Sequence, residues 1–290
     1  MTLRKTVIYT DEDALYHEDC ACPVFQRDHK SSSLTDFRAI GVRKICEPVA
    51  VTSGKDACQG CIEKRKYFTP GTAKRVKIDL PEPLWNAGYS VDLLGDYMHN
   101  YGGRWVERFE GGGDDPMVAN RFTTADVLAV GTLSENIPAK AFLPIFHDHA
   151  DCLSALLAMI PTTTELSEAP DSLIGPESAA WQLWEHLESS EFPGISSTRV
   201  SKLLARKRPR LIPVYDELVR DTLNRPKRND LWFWHDLRDA LRAEDRRLKR
   251  FLEQVRNRVG DAAEHLSTIR VFDVIVWMYA QKNKQAGKTS

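Results

Sequence analysis

From residue 81 onward, apolar residues recur every three or four positions, the spacing that gives a helix one buried stripe. Residues 123–135, TTADVLAVGTLSE, open with a threonine suited to capping, and 151–160, DCLSALLAMI, run into Pro161. In 176–189, PESAAWQLWEHLES, Trp181, Trp184 and Leu187 stand at i, i+3 and i+6, so one apolar face meets a core. Helix spacing resumes beyond Asp216 in 216–223, 230–260 and 266–281, with charges of alternating sign on the polar faces.

The first 67 residues read differently. Short strand-like runs such as KTVIYT and ICEPVAV are punctuated by Gly, Ser and Asp, which predicts a small α+β module with little core of its own. A Pro- and Gly-rich bridge follows, and the domain boundary is set there, over residues 68–80. The expected fold is mainly α: a module over 1–67, a linker, and a helical domain over 81–290.

Composition adds limits. The 290 residues are 42% hydrophobic and 28% charged, as in an ordinary globular protein, and no internal repeat or low-complexity tract is evident. Forty basic against forty-one acidic residues leave a net charge of -1, so any surface for nucleic acid must be local. The N-terminus lacks a signal-peptide pattern and no apolar run reaches membrane-spanning length, so the expectation is a cytoplasmic protein with no membrane partner.

Five of the six cysteines, Cys20, Cys22, Cys46, Cys58 and Cys61, fall in the first quarter of the chain; only Cys152 lies beyond it. In a reducing compartment this clustering points to metal rather than disulfides. His17 and Cys20 form H-x2-C, and Cys58 and Cys61 form C-x2-C thirty-eight residues later; two such turns can aim four ligands at one tetrahedral ion. YHEDC and ACQGC resemble a small bacterial zinc-binding module, which implies His17, Cys20, Cys58 and Cys61 as ligands of a structural Zn2+. Cys22 and Cys46 are alternative thiolates.

Residues 192–216, FPGISSTRVSKLLARKRPRLIPVYD, combine a turn, an amphipathic helix and six basic residues between Arg199 and Arg210, with no acidic residue among those twelve positions. Pro193 and Gly194 suit a tight turn, and a turn leading into a helix presents N–H groups to phosphate. Phe192, Pro193, Gly194 and Ile195, together with LIPVYD ending at Asp216, resemble the helix-hairpin-helix of the DNA glycosylase superfamily. More loosely, residues 80–285 resemble a bacterial family of uncharacterised helical proteins sharing SKLLARKRPRLIPVYD and RVFDVIVWM. The glycosylase resemblance implies a DNA partner held through Gly194, Ser196, Thr198, Arg199, Lys202, Arg206, Lys207 and Arg208. It also implies that Asp216 is a catalytic carboxylate that stabilises the sugar cation or orients water while the target base is flipped out.

Thr198 stands where some members of that superfamily carry a nucleophilic lysine, and Lys202 lies one turn further on. A water nucleophile without strand cleavage is therefore expected. No cysteine follows Cys152, so no iron–sulphur cluster is expected. The competing reading is a non-catalytic module that binds nucleic acid or protein within a repair or defence assembly, with Asp216 a simple helix cap.

Three other features carry weaker chemistry. His147 and His149 form H-x-H beside Asp148, Asp151 and Cys152, but i and i+2 diverge on a helix, so they share a metal only in a loop. Trp232, Phe233 and Trp234 have the spacing of core residues rather than of a base-stacking platform. The three glycines at 111–113 lack the GK[ST] continuation of a nucleotide-binding loop.

Overall fold

The computed structural model describes residues 75–101, 111–227 and 229–286, with the backbone of four short strands nearer the N-terminus. Strand β1 (Val7–Tyr9) pairs antiparallel with β3 (Arg43–Ile45), and β2 (Leu15–Tyr16) pairs parallel with β4 (Asp56–Ala57). The rest of the first 74 residues, with all four expected zinc ligands and both alternatives, lies outside the described residues.

The described body is mainly helical. Its helices are α1 (Ala87–Asn100), α2 (Thr124–Thr132), α3 (Ala150–Ala158), α4 (Asp171–Ile174) and α5 (Ala179–Leu187), then α6 (Ser197–Lys207), α7 (Glu217–Thr222), α8 (Asp230–Val259) and α9 (Thr268–Ala286). Helix α9 is the central element: Val271, Phe272, Val274, Ile275, Val276 and Met278 are all buried, because α1, α7 and α8 pack around it. On the other side α6 rests against α2 and α5, and α5 against α3. One hydrophobic core runs through both groups.

The stripe expected on α5 is buried as a unit. Trp181 and Trp184 stack with ring centroids 5.8 Å apart, and both meet Trp234 of α8 edge-on at 5.6 and 5.5 Å. Ser178 caps the helix by accepting from the Trp181 amide at 3.1 Å. Phe233 stacks on Tyr215 at 4.0 Å, so Phe233 and Trp234 are core residues.

Helix α1 falls within the apolar spacing that begins at residue 81, but two glycines weaken its local signal. Gly88 and Gly95 lower its intrinsic propensity by about 1 kcal/mol each. Burial of Leu93, Leu94, Tyr97 and Met98 outweighs that, and Asn86 caps the helix by accepting from the Tyr89 amide at 3.1 Å. Helix α8 is broken at Ala243–Arg246, where Glu244, Asp245 and Arg246 take left-handed backbone angles.

The end of the expected linker is held by the body. Val76 N donates to Asp236 Oδ2 at 2.9 Å, Arg225 Nη2 donates to the same oxygen at 2.6 Å, and Arg75 binds the other oxygen.

Candidate functional site

Phe192–Ile195 forms a tight turn closed by the Ile195 amide on the Phe192 carbonyl at 3.2 Å. Gly194 has φ +80, a backbone angle that L side chains resist. A Cβ there would lie 3.0 Å from Lys140 Cε and 3.1 Å from Pro138 Cγ, which places an exposed lysine beside the turn. Helix α6 begins just after it. Ser196 is the N-cap by backbone angle but its side chain makes no capping hydrogen bond, so among the described residues the first amides of α6 have no side-chain acceptor.

The basic run of α6 turns inward. Lys202, Arg206, Lys207 and Arg208 are all buried, and their charged ends fasten other segments to the helix. Lys202 Nζ donates to the Leu133 carbonyl at 2.9 Å and Lys207 Nζ to the Val118 carbonyl at 3.0 Å. Arg206 Nε binds Asp126 Oδ1 at 3.1 Å and its Nη1 donates to the Gly111 carbonyl. The Arg208 guanidinium donates to the carbonyls of Ile160 and Ala119 at 2.7 and 2.9 Å, to the Leu157 carbonyl and to Asn120 Oδ1.

These four residues do not form the outward phosphate-facing surface that a basic helix suggests. They are buried because segments 111–120 and 157–160 and helix α2 leave carbonyls and a carboxylate over that face of α6. Burial lowers the Arg208 pKa to about 10 and also lowers that of Lys207, whose shift Asp126 opposes. Arg199 is only half-buried, but it is occupied: Nη1 donates to the Gly194 carbonyl at 2.8 Å and Nε faces Glu135 at 3.2 Å. Gly194 and Ser196 are exposed and Thr198 is half-buried.

Asp216 occupies the N-cap of α7, with Oδ1 accepting from the Val219 amide at 3.0 Å. Its side chain also lines a pocket of about 100 Å³ with Lys202, Tyr97, Arg270, Asp273 and Trp277. Helices α1, α6, α7 and α9 and the end of α2 converge there. Arg270 Nη2 donates to the Tyr97 hydroxyl at 2.6 Å and Nη1 to Asp273 Oδ1 at 2.5 Å. Burial lowers the Lys202 pKa, opposed by the charges of Asp216 and Glu135. The pocket thus gathers two carboxylates, a buried ammonium and a guanidinium beside three aromatic rings, those of Tyr97, Tyr101 and Trp277.

Tyr97, Arg270, Asp273 and Trp277 were not expected at the site. A signal existed: Arg270 and Asp273 stand at i, i+3 inside the apolar run 269–278, where charged residues are rarely buried unless paired. Arg220, one turn past Asp216, binds Glu217 and Asp221 at 3.0 and 2.7 Å.

The two histidines of H-x-H separate. His147 is exposed and lies 3.1 Å from Asp148, whereas His149 turns in to meet His186 of α5 and Glu191. Gly113, from the glycine triplet, packs against α6, where a Cβ would lie 2.1 Å from the Arg206 carbonyl oxygen.

No curated protein and no solved structure matches the chain. Residues 90–280 match a family model, a span that takes in the hairpin, the Asp216 pocket and the His149 cluster, and the chain belongs to that family of unknown function, DUF6308.

Proposed function

We propose that the chain is a DNA-binding protein of glycosylase-like helical architecture, and that its pocket excises a modified or damaged base with water as the nucleophile. The observation that carries this reading is the position of Asp216, at the end of the hairpin and α6 segment and on the wall of a pocket shared with Lys202, Tyr97 and Trp277. Only Oδ1 of Asp216 is used in capping, and its other oxygen accepts no hydrogen bond among the described residues. That oxygen is suited to stabilising cationic charge at C1′ as the C1′–N bond breaks. Water adds its hydroxyl to C1′, and its proton leaves with the base.

The uncapped start of α6, Gly194 and the exposed Lys140 supply the phosphate-facing surface, and Trp277 and Tyr97 the aromatic wall for an extruded base. A structural Zn2+ on His17, Cys20, Cys58 and Cys61 belongs to the same proposal.

The cap itself favours a second reading, a non-catalytic binding module. Both are tested by incubating the zinc-supplemented protein with oligonucleotides carrying diverse base modifications, then assaying abasic sites, with Asp216→Asn as control. Abasic product from the wild type but not the variant, with DNA binding retained by both, establishes base excision. Salt-sensitive binding with no product from any substrate favours the binding module.

A further inference from the structure

Beneath the hairpin, three polar side chains from three separate elements converge at distances longer than a hydrogen bond. Nδ1 of His149 and Nδ1 of His186 each lie 3.6 Å from Oε2 of Glu191. That is beyond the usual 2.7–3.2 Å of an N–H···O hydrogen bond. It is close to the separation of about 3.4 Å between donor atoms that share one tetrahedral ion at zinc–ligand distances. One ligand atom from each residue lies within 4.8 Å of the other two, the only such trio of metal-capable groups among the described residues.

A second observation points the same way. Glu191 Oε2 is buried with no hydrogen-bond partner among the described residues. An ionised carboxylate oxygen held away from water without a donor is costly, and a cation between it and the two imidazoles removes that cost. The surroundings are shaped rather than open: the His149 and His186 rings meet edge to face at 5.1 Å, and both rest on Phe192, at 5.0 and 5.2 Å.

We propose that His149, His186 and Glu191 bind a divalent transition-metal ion of the zinc class at the root of the hairpin. Two imidazoles and one carboxylate suit zinc and its first-row neighbours, and disfavour magnesium and calcium, which take oxygen ligands. The ligands come from the start of α3, the last turn of α5 and the residue preceding Phe192. The ion therefore ties the hairpin to two helices, and one coordination position is left to water or another ligand. The site shares no residue with the cysteine and histidine cluster of the first 67 residues and does not depend on base excision.

The test measures metal bound per full-length chain after equilibration with zinc and removal of excess, for the wild type, His149→Gln and Glu191→Gln. Each variant should hold one equivalent less than the wild type, whatever the N-terminal cysteines contribute. Zinc should raise the wild-type melting temperature by more than it raises either variant's. Equal metal content in all three proteins would show an imidazole–carboxylate pair and overturn the proposal.

A wild-type measurement guards against a variant that fails to fold. The imidazole nitrogen signals of His149 and His186 should both move to metal-bound positions as zinc is added. If they stay in place while zinc fills other sites, the proposal fails.

Discussion

Lys207 Nζ lies 2.6 Å from Asp126 Oδ2 in the interior, where neither side chain reaches solvent. The same carboxylate takes Arg206 Nε on its other oxygen and accepts from the Thr123 amide at 2.8 Å, so one aspartate closes the start of α2 and fastens it to α6. Removing it takes the Asp126 carboxylate away from two buried cations, the costly case for a buried ion pair. Asp126→Ala is expected to lose about 3–5 kcal/mol of stability. Lys207→Met should lose less, because Arg206 still neutralises Asp126. Urea unfolding of the three proteins checks the order.

Asp216 is a cap and a pocket residue at once, and the two roles respond differently to substitution. Asparagine caps helices about as well as aspartate, so Asp216→Asn should change stability by less than about 0.5 kcal/mol, whereas Asp216→Ala should cost about 1 kcal/mol. The proposed base excision should be lost in both, because neither carries the charge. Retention of excision by Asp216→Asn would assign the residue to the cap alone.

How far the chain is legible before its structure is known divides along the kind of interaction involved. Short-range signals served well: the i, i+3, i+6 stripe of Trp181, Trp184 and Leu187 and the Pro193–Gly194 turn need only local periodicity and backbone geometry. Helix α1 has the apolar spacing but a weak local propensity at its two glycines, and its stability comes from contact with α8 and α9. The basic face of α6 misled for a related reason. Its charge pattern looks solvent-facing in isolation, while the carbonyls and carboxylate that cover it come from 111–133 and 157–160, far away in sequence. His186 and Glu191 are five residues apart from each other and distant from His149, so no spacing rule joins them.

Two glycines should respond very differently to alanine. At Gly113 the new Cβ would meet the Arg206 carbonyl at 2.1 Å, a backbone atom that moves only with α6, so Gly113→Ala is expected to cost about 3 kcal/mol. At Gly194 the contacts are side-chain atoms and the cost is chiefly that of the left-handed backbone, about 1–2 kcal/mol. Thermal unfolding should rank Gly113→Ala well below Gly194→Ala. The proposed DNA binding should fall in Gly194→Ala even at temperatures where it stays folded.

Lys202 raises the question of a covalent route, because burial lowers its pKa and favours the neutral, nucleophilic amine. Its Nζ is committed to the Leu133 carbonyl at 2.9 Å, and the charge of Asp216 acts against the lowering. Water is therefore the expected nucleophile, and borohydride added during turnover should trap no protein–DNA adduct. A trapped adduct that disappears in Lys202→Met would reverse that assignment.

Asp230, the first residue of α8, gives the protein a pH dependence of its own. Burial, reinforced by the charge of Glu188, pushes its carboxyl up from an ordinary 3.8 to about 6. A folded-state pKa above the unfolded one means that the folded protein holds the proton more tightly. The associated stabilisation is complete below about pH 4 and is lost as the pH rises through about 6. A shift from 3.8 to about 6 corresponds to a loss on the order of 3 kcal/mol. Asp230→Asn removes the titration while keeping the shape, so it should melt a few degrees above the wild type at pH 7.5 and level with it near pH 4. The helix N-terminus works the other way, since it favours a negative charge at this position by about 0.5 kcal/mol. Burial is the larger influence, so the gap should open on raising the pH; parallel melting curves for the two proteins across that range would show that Asp230 is hydrated in solution.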